Sequence, residues 1–417
     1  IWVLAPFNLR ALESALNIAE SLFDRERFEE TIDACENILT SNKNSTTALK
    51  LIAKSLLALK KPNDALTYFN KVLNIQPNDY EVIKNIGNTY QIMGDSNSAK
   101  SYYEKSIEIK SDYAPSLTNL GSIELRRGNK KEALSCLMKA TQSDPGLVTA
   151  WVFLTNAYIQ SGNLKLAEDS CRKAISLNPN LFNSHFLLAK LFIAKNRHQE
   201  AEAPLLKTIE LNPNFSQAHL NLGFVLKELG RIQEAETCCR RTINLQPNLV
   251  IAHFLLSTIL FEENKFQEAE SFLRKTIELK PDFYQAYATL GKVLIELGSF
   301  KSAEKYHRQS IKLNPNFAEG HCNLGIALRY QDKLKEAQKS TNKALEINPN
   351  YAAAYLNLGT IFSRLGNLNE AKIATKKSIE INPSYAEAYL NLGNILTDLG
   401  KLKEAEVSTR KAIEINP

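Results

Sequence analysis

The sequence predicts an all-α fold built as a stack of helical hairpins, and three observations predict it. Pro77, Pro145, Pro179, Pro213, Pro247, Pro281, Pro315, Pro349, Pro383 and Pro417 stand on one 34-residue grid, with Ser111 filling the single gap. Small residues recur at two fixed places on that grid. Between them, apolar residues return every three or four positions in two separate segments per period, the pattern of two amphipathic helices.

Extended back to Lys43, the grid divides residues 12–417 into twelve units that start at 12, 46, 80, 114, 148, 182, 216, 250, 284, 318, 352 and 386, after a lead-in of residues 1–11. With the proline numbered 32, the first helix carries Ile or Leu at position 7 and a small residue at position 8, which is Gly in seven units. A turn follows, usually with Gly at position 15 (Gly94, Gly128, Gly162, Gly230, Gly298, Gly366, Gly400), where a left-handed residue can end a helix. The second helix holds Ala at position 20 in all units but the first, which has Thr31. Asn-Pro at positions 31 and 32 stops it, because proline cannot continue a helix interior. Small residues at 8 and 20 imply two backbones that cross too closely for a larger side chain. A hairpin of this kind cannot bury both of its faces alone, so its neighbours must stack upon it. The last two units share 20 of 32 residues (352–383 against 386–417), as strict repetition of the contact positions requires.

A large residue at 4, Leu-Gly at 7 and 8, Ala at 20 and Pro at 32 resemble the motif of the tetratricopeptide-repeat (TPR) family, over about 406 of 417 residues. The resemblance implies a right-handed α-solenoid, a superhelix of about twelve helix-turn-helix units with a concave inner groove. Among its members the chain is similar to the repeat arm of O-linked N-acetylglucosamine transferases and to bacterial multi-repeat proteins.

Composition narrows the function classes. With 44% hydrophobic and 23% charged residues the chain is too apolar to stay disordered. Its excess of six basic residues is dispersed among acidic ones, so no nucleic-acid footprint is expected. No apolar stretch approaches the roughly 18 residues of a spanning helix, so no membrane partner is expected either. Six cysteines without a CxxC pair suit a reducing, cytoplasmic setting.

Chemistry is not evident in the residues. Four of six histidines (His185, His219, His253, His321) fall at position 4, one repeat apart, too far to share a metal, and read as flat packing residues like Trp151 and Tyr287. Vicinal Cys238 and Cys239 read as packing residues too. No recurrent nucleophile, base or phosphate loop stands out, so no catalytic residue, metal or cofactor is expected.

What remains is a binding face. The resemblance places positions 2, 5, 6, 9, 12 and 13 of each first helix on the groove wall. Position 6 is Asn in seven units: Asn17, Asn85, Asn119, Asn221, Asn323, Asn357 and Asn391. A carboxamide both donates and accepts, so a row of them can read the backbone of an extended peptide. That row resembles the asparagine ladder of the transferase arm, although Leu51, Phe153, Leu187, Leu255 and Thr289 interrupt it. The interrupted middle units, with Phe186, Phe254 and Phe261 at inner positions, would suit an apolar segment. Lys84, Asn88 and Asn119 match half of the family's clamp for a C-terminal carboxylate, with Thr149 and Phe153 where its two further cations belong. The expectation is a non-enzymatic scaffold that holds extended peptides or partner proteins. The alternative is the substrate-recruiting arm of a larger modifying enzyme, a glycosyltransferase of the O-linked N-acetylglucosamine transferase type or another fused transferase. A first residue other than Met and a last residue on the final grid position suggest a piece of a longer chain, whose uncapped C-terminal unit would fray or self-associate.

Overall fold

The structure, a computed structural model, describes the backbone of residues 5–416 and the side chains of residues 11–416. Among the described residues it holds twenty-four α-helices and no strand. They fall in two compact bodies, one running through Leu211 and the other starting at Asn212.

The first body contains α1 (Ala5–Asp24), α2 (Phe28–Ser41), α3 (Thr46–Ala58), α4 (Pro62–Ile75), α5 (Tyr80–Ile92), α6 (Ser96–Ile109), α7 (Ala114–Arg127), α8 (Lys130–Ser143), α9 (Val148–Gln160), α10 (Leu164–Leu177), α11 (Phe182–Ala194) and α12 (His198–Leu211). The second contains α13 (Ser216–Glu228), α14 (Ile232–Leu245), α15 (Val250–Glu262), α16 (Phe266–Leu279), α17 (Tyr284–Glu296), α18 (Phe300–Leu313), α19 (Ala318–Tyr330), α20 (Leu334–Ile347), α21 (Ala352–Arg364), α22 (Leu368–Ile381), α23 (Ala386–Asp398) and α24 (Leu402–Ile415). From α3 onward every odd helix begins at a position where the grid starts a unit, whereas α1 begins at Ala5 and takes in residues 5–11. Within each body consecutive helices pack in antiparallel pairs, and each pair packs on the next.

The pairs close at one crossing. The Ala residues at position 20 from Ala65 to Ala371 are fully buried, and their carbonyls approach the small residue at position 8. A Cβ placed on Gly121 would stand 2.6 Å from Leu137 Cγ and 3.3 Å from the Ala133 carbonyl, so only glycine fits there. Position 24, which Leu137 occupies, fills the gap that position 8 leaves. Phe69, Tyr103, Leu137, Leu205 and Leu273 stand there, all fully buried.

The turns obey a stricter rule than glycine usage. Position 15 has positive φ in all twelve pairs: seven glycines between 72° and 86°, and Glu26, Lys60, Asn196, Asn264 and Asp332 between 54° and 61°. Asn and Asp tolerate that conformation, whereas Glu26 and Lys60 meet a cost of about 1–2 kcal/mol from their Cβ. The closed hairpin holds them there.

Ion clips join neighbouring pairs on the second helices. Glu304 on α18 accepts from Arg308 one turn on (2.8 Å) and from Gln331 and Lys333 of the following turn (both 2.9 Å). Glu168 on α10 does the same with Arg172, Lys195 and Arg197 at 2.7–2.9 Å. Burial raises the pKa of each carboxyl, but the hydrogen bonds and charges outweigh it and hold both at about 2, against an ordinary 4.5. The folded state therefore binds fewer protons than the unfolded chain between pH 4.5 and 2. The stabilisation is complete above pH 4.5 and disappears as pH falls through that window. Glu304→Gln should lower the stability of the second body by about 1 kcal/mol at pH 7 and make little difference at pH 2, read from urea midpoints at both pH values.

Candidate groove wall and its polar seam

Six of the eight position-4 rings share one task. Trp151 Nε1 and Tyr287 OH donate to the carbonyls of Pro145 and Pro281, six residues back, at 2.9 and 3.1 Å. His185, His219, His253 and His321 place Nε2 2.7–3.0 Å from the carbonyls of Pro179, Pro213, Pro247 and Pro315. A carbonyl can only accept, so each ring carries its proton on Nε2. In these six units a flat ring with a donor at its far end tethers the loop before the first helix. Among the described residues no group of three or more His, Cys, Asp or Glu is arranged to hold a metal ion.

The expected groove asparagines divide by environment. Asn17 is exposed, and Asn85, Asn119, Asn221 and Asn391 are half-buried. Asn323 and Asn357 are buried, only 7% and 4% exposed, so they lie under the surface rather than on it. The Asn357 amide is engaged with the preceding pair. Asn357 Nδ2 donates to Thr341 Oγ1 on α20 at 2.8 Å, while its Oδ1 accepts from Arg329 Nε on α19 at 3.0 Å. Asn391 Nδ2 donates to Thr360 Oγ1 at 2.9 Å, and Thr375 Oγ1 donates to its Oδ1 at 3.1 Å. In the first body Asn119 Nδ2 donates to Asn88 Oδ1, which also accepts from Tyr103 OH, both at 2.8 Å. Of the half-clamp, Asn88 and Asn119 thus meet, whereas Lys84 turns to Asn85 Oδ1 at 2.8 Å and loses proton affinity chiefly through burial, then through the charge of Lys54.

A rule emerges that links position 24 of one pair to position 6 of the next, sixteen residues on. Threonine at 24 closes the hydrogen bond at 341/357 and 375/391. At 307/323 it stays open. His307 is fully buried against Gly291 with both ring nitrogens unbonded, and Asn323 Nδ2 is unbonded too. Burial, with the Lys292 charge adding to it, pushes the His307 imidazole down to about 3.

The groove-wall positions also line two pockets of the second body. One, of about 430 Å³, runs over α13, α15 and α17 with Phe224, Leu255, Thr258, Phe261 and Thr289, under a Lys227–Glu262 ion pair of 2.7 Å. The other, of about 250 Å³, runs over α19, α21 and α23 with Arg329, Leu356, Asn357, Thr360, Glu387 and Asn391. Phe254, expected to offer a greasy inner surface, instead packs its ring on Phe283 with centroids 4.9 Å apart. Sequence reading passed over Arg329 and the seam threonines. Two signals mark them: Arg329 is the one arginine at position 12 in twelve units, and the last three units alone carry Thr at 24 (Thr341, Thr375, Thr409).

Helix pairs on a 34-residue period, crossed at 8 and 20 and tethered by position 4, define a repeat protein of the tetratricopeptide class. The chain belongs to the tetratricopeptide-repeat family: the family described as "Cilia and flagella-associated protein 70 C-terminal domain" matches residues 11–289, and tetratricopeptide-repeat families match 260–321, 318–351, 341–373 and 386–417. A search of curated proteins gave no match. Among solved structures, the APC/C hetero-tetramer Cut9-Hcn1 is similar at 12% identity and a TM-score of 0.52, covering 96% of this chain and 92% of that one, which is a likeness of fold. YrrB, described as a TPR protein with an unusual peptide-binding site, is 23% identical over 44% of this chain and 95% of its own (TM-score 0.37). MamA is 26% identical over 38% and 94% (TM-score 0.33). No helix among the described residues is long and apolar enough to cross a membrane.

Two substitutions test the seam. Asn357→Ala should destabilise the second body by about 1–3 kcal/mol, because it removes the acceptor of the half-buried Arg329 and the donor to Thr341, and a urea midpoint measures the loss. His307→Leu should stabilise by about 1 kcal/mol, since Leu137 already packs on Gly121 at the same register and the change removes two orphaned nitrogens. As the unfolded chain takes a proton at an ordinary histidine pKa of 6.5 and the folded one only near 3, the advantage of the variant should widen as pH falls from 6.5 toward 3.

Proposed function

We propose that the chain is a non-catalytic scaffold that holds extended segments of partner proteins along the face built by its first helices. One observation carries the reading: two second-body pockets are lined by first-helix positions 2, 5, 6, 9, 12 and 13, with Tyr385 of one loop added, and each runs over three successive first helices, whereas a third pocket, of about 510 Å³, opens between α21 and α22 around Phe362 and Ile373 and does not belong to this face. A surface repeated at a fixed step suits a ligand that is itself repetitive, and an extended backbone, advancing about 3.3 Å per residue, is the simplest such ligand. The apolar floor of Phe224, Leu255 and Phe261 would take an apolar side chain, and the seam around Asn357 would take a polar one.

The ladder asparagines act here as pinned groups. Half-buried Asn391 spends one donor and one acceptor on the fold and keeps one N–H and one lone pair for a ligand, whereas buried Asn357 spends the same on the fold and orients Arg329. Their orientation is settled before a ligand arrives, which lowers the entropy cost of binding.

The test is selection of phage-displayed random decamers on the intact chain, followed by titration of the selected peptides. Thr258→Arg and Thr360→Arg, in the two pockets, should each weaken binding of a subset of them at least tenfold while circular dichroism stays unchanged, and Glu406→Lys on the exposed side of α24 should leave affinity alone. Equal binding by both pocket variants, or loss with Glu406→Lys alone, would refute the proposed face.

A further inference from the structure

Arg329 is an anomaly among the arginines of the second body. Arg240 and Arg308 hold glutamates on the helix surface, at 2.7 and 2.8 Å. Arg329 is half-buried on the wall of the 250 Å³ pocket and pairs with no carboxylate among the described residues. Its Nε donates to Asn357 Oδ1, and its guanidinium lies 4.9 Å from the centre of the Tyr330 ring. The acid in the turn that follows, Asp332, is already taken by Arg364 at 3.1 Å, and Arg364 also donates to the Arg329 carbonyl at 2.6 Å. Burial, opposed in part by Tyr330 and reinforced by Arg364, lowers the pKa of Arg329 below that of an ordinary arginine.

A half-buried cation without a counter-ion is costly, and the cost disappears when a carboxylate arrives. Asn357 fixes the guanidinium by Nε, which leaves the two terminal nitrogens as the fork that a carboxylate binds in bidentate fashion. Thr341 in turn fixes Asn357. The fork is therefore built from the core outward.

An anion alone would be a poor ligand for this pocket, because Glu387 stands on its other wall, two pairs along on α23. Glu387 is exposed and forms no ion pair among the described residues. With α21 between them, the two charges offer a cation at one end and an anion at the other. Resting on the reading that this face holds extended segments, we propose that the pocket selects segments in which an acidic side chain, seated on Arg329, is followed or preceded within about three residues by a basic one, seated on Glu387. The spacing follows from the helices: α19 and α23 stand two pairs apart, roughly 16–20 Å at about 8–10 Å per step, and the reach of the Arg329 side chain and of the ligand's own side chains shortens this to about three extended residues.

The experiment uses acetylated and amidated random decamers, so that no chain terminus supplies the charge, selected in parallel on the intact chain, Arg329→Gln and Glu387→Gln. The expected result is enrichment of acid and base within three positions on the intact chain, with affinity at least tenfold above that of the same decamers with Asp or Glu changed to Asn or Gln. Arg329→Gln should lose the acidic preference, and Glu387→Gln should lose the basic one and accept a second acid. Since Glu387 is exposed, its variant keeps the test valid even if Arg329→Gln were to unfold. Decamers that bind without the pairing, or bind both variants with unchanged preference, would overturn this inference and leave the groove reading standing. Failure of the intact chain to select any decamer would overturn both.

Discussion

The close crossing of the two helices in each pair is the constraint on which everything else depends. Where Gly121 meets the Ala133 carbonyl, the backbones approach so closely that an added Cβ would stand 3.3 Å from that oxygen and 2.6 Å from Leu137 Cγ, leaving room beside Leu137 for glycine alone. Beside that crossing, position 24 admits buried residues of very different size, from Tyr103 to Thr375. The invariant positions hold the pair shut; the variable one decides what the interior can bond to.

Variation at 24 has consequences outside the pair because its neighbour across the interface is position 6 of the next first helix. Tyr103, Thr341 and Thr375 each reach a polar group there, directly or through Asn88. A hydrogen bond of this kind, made away from water, is costly to break, so it fixes the stacking register as well as adding stability. His307 is the exception that exposes the rule: it fills the space, yet leaves three nitrogens unbonded on the two sides of the interface.

Much of this was legible in the sequence, and what was not has a physical reason. Period, helix pairing, the small crossing residues and the packing role of the position-4 rings follow from spacing alone, because each reflects a contact made in the same way in every unit. The turn was legible only in part. Glycine at 15 announces a left-handed residue, but Lys60 and Glu26 adopt it with no such announcement, since tertiary closure overrides their local preference. Asparagine at 6 was read as a surface group because one position in a repeat carries no label for depth. The Asn357 amide is turned inward by Thr341 and Arg329, which hold it from two different helices. That is a property of three residues together.

This coupling also bears on how a repeated surface becomes specific. Twelve identical walls would bind one backbone in many registers, so discrimination has to come from places where the repetition fails. Arg329 is such a place: position 12 is apolar in Leu125, Ile159, Ile193, Phe261 and Ile295, and its other cation, Lys227, is neutralised by Glu262. On a mobile surface side chain the charge of Arg329 would add little, because solvent and rotamer freedom would dilute it. Held by Asn357, which is held by Thr341, which sits over Gly325 at the crossing, it is aimed. The same seam that locks one pair to the next thus orients the group that faces a ligand, so a change at position 24 of α20 would alter the pocket without touching its wall.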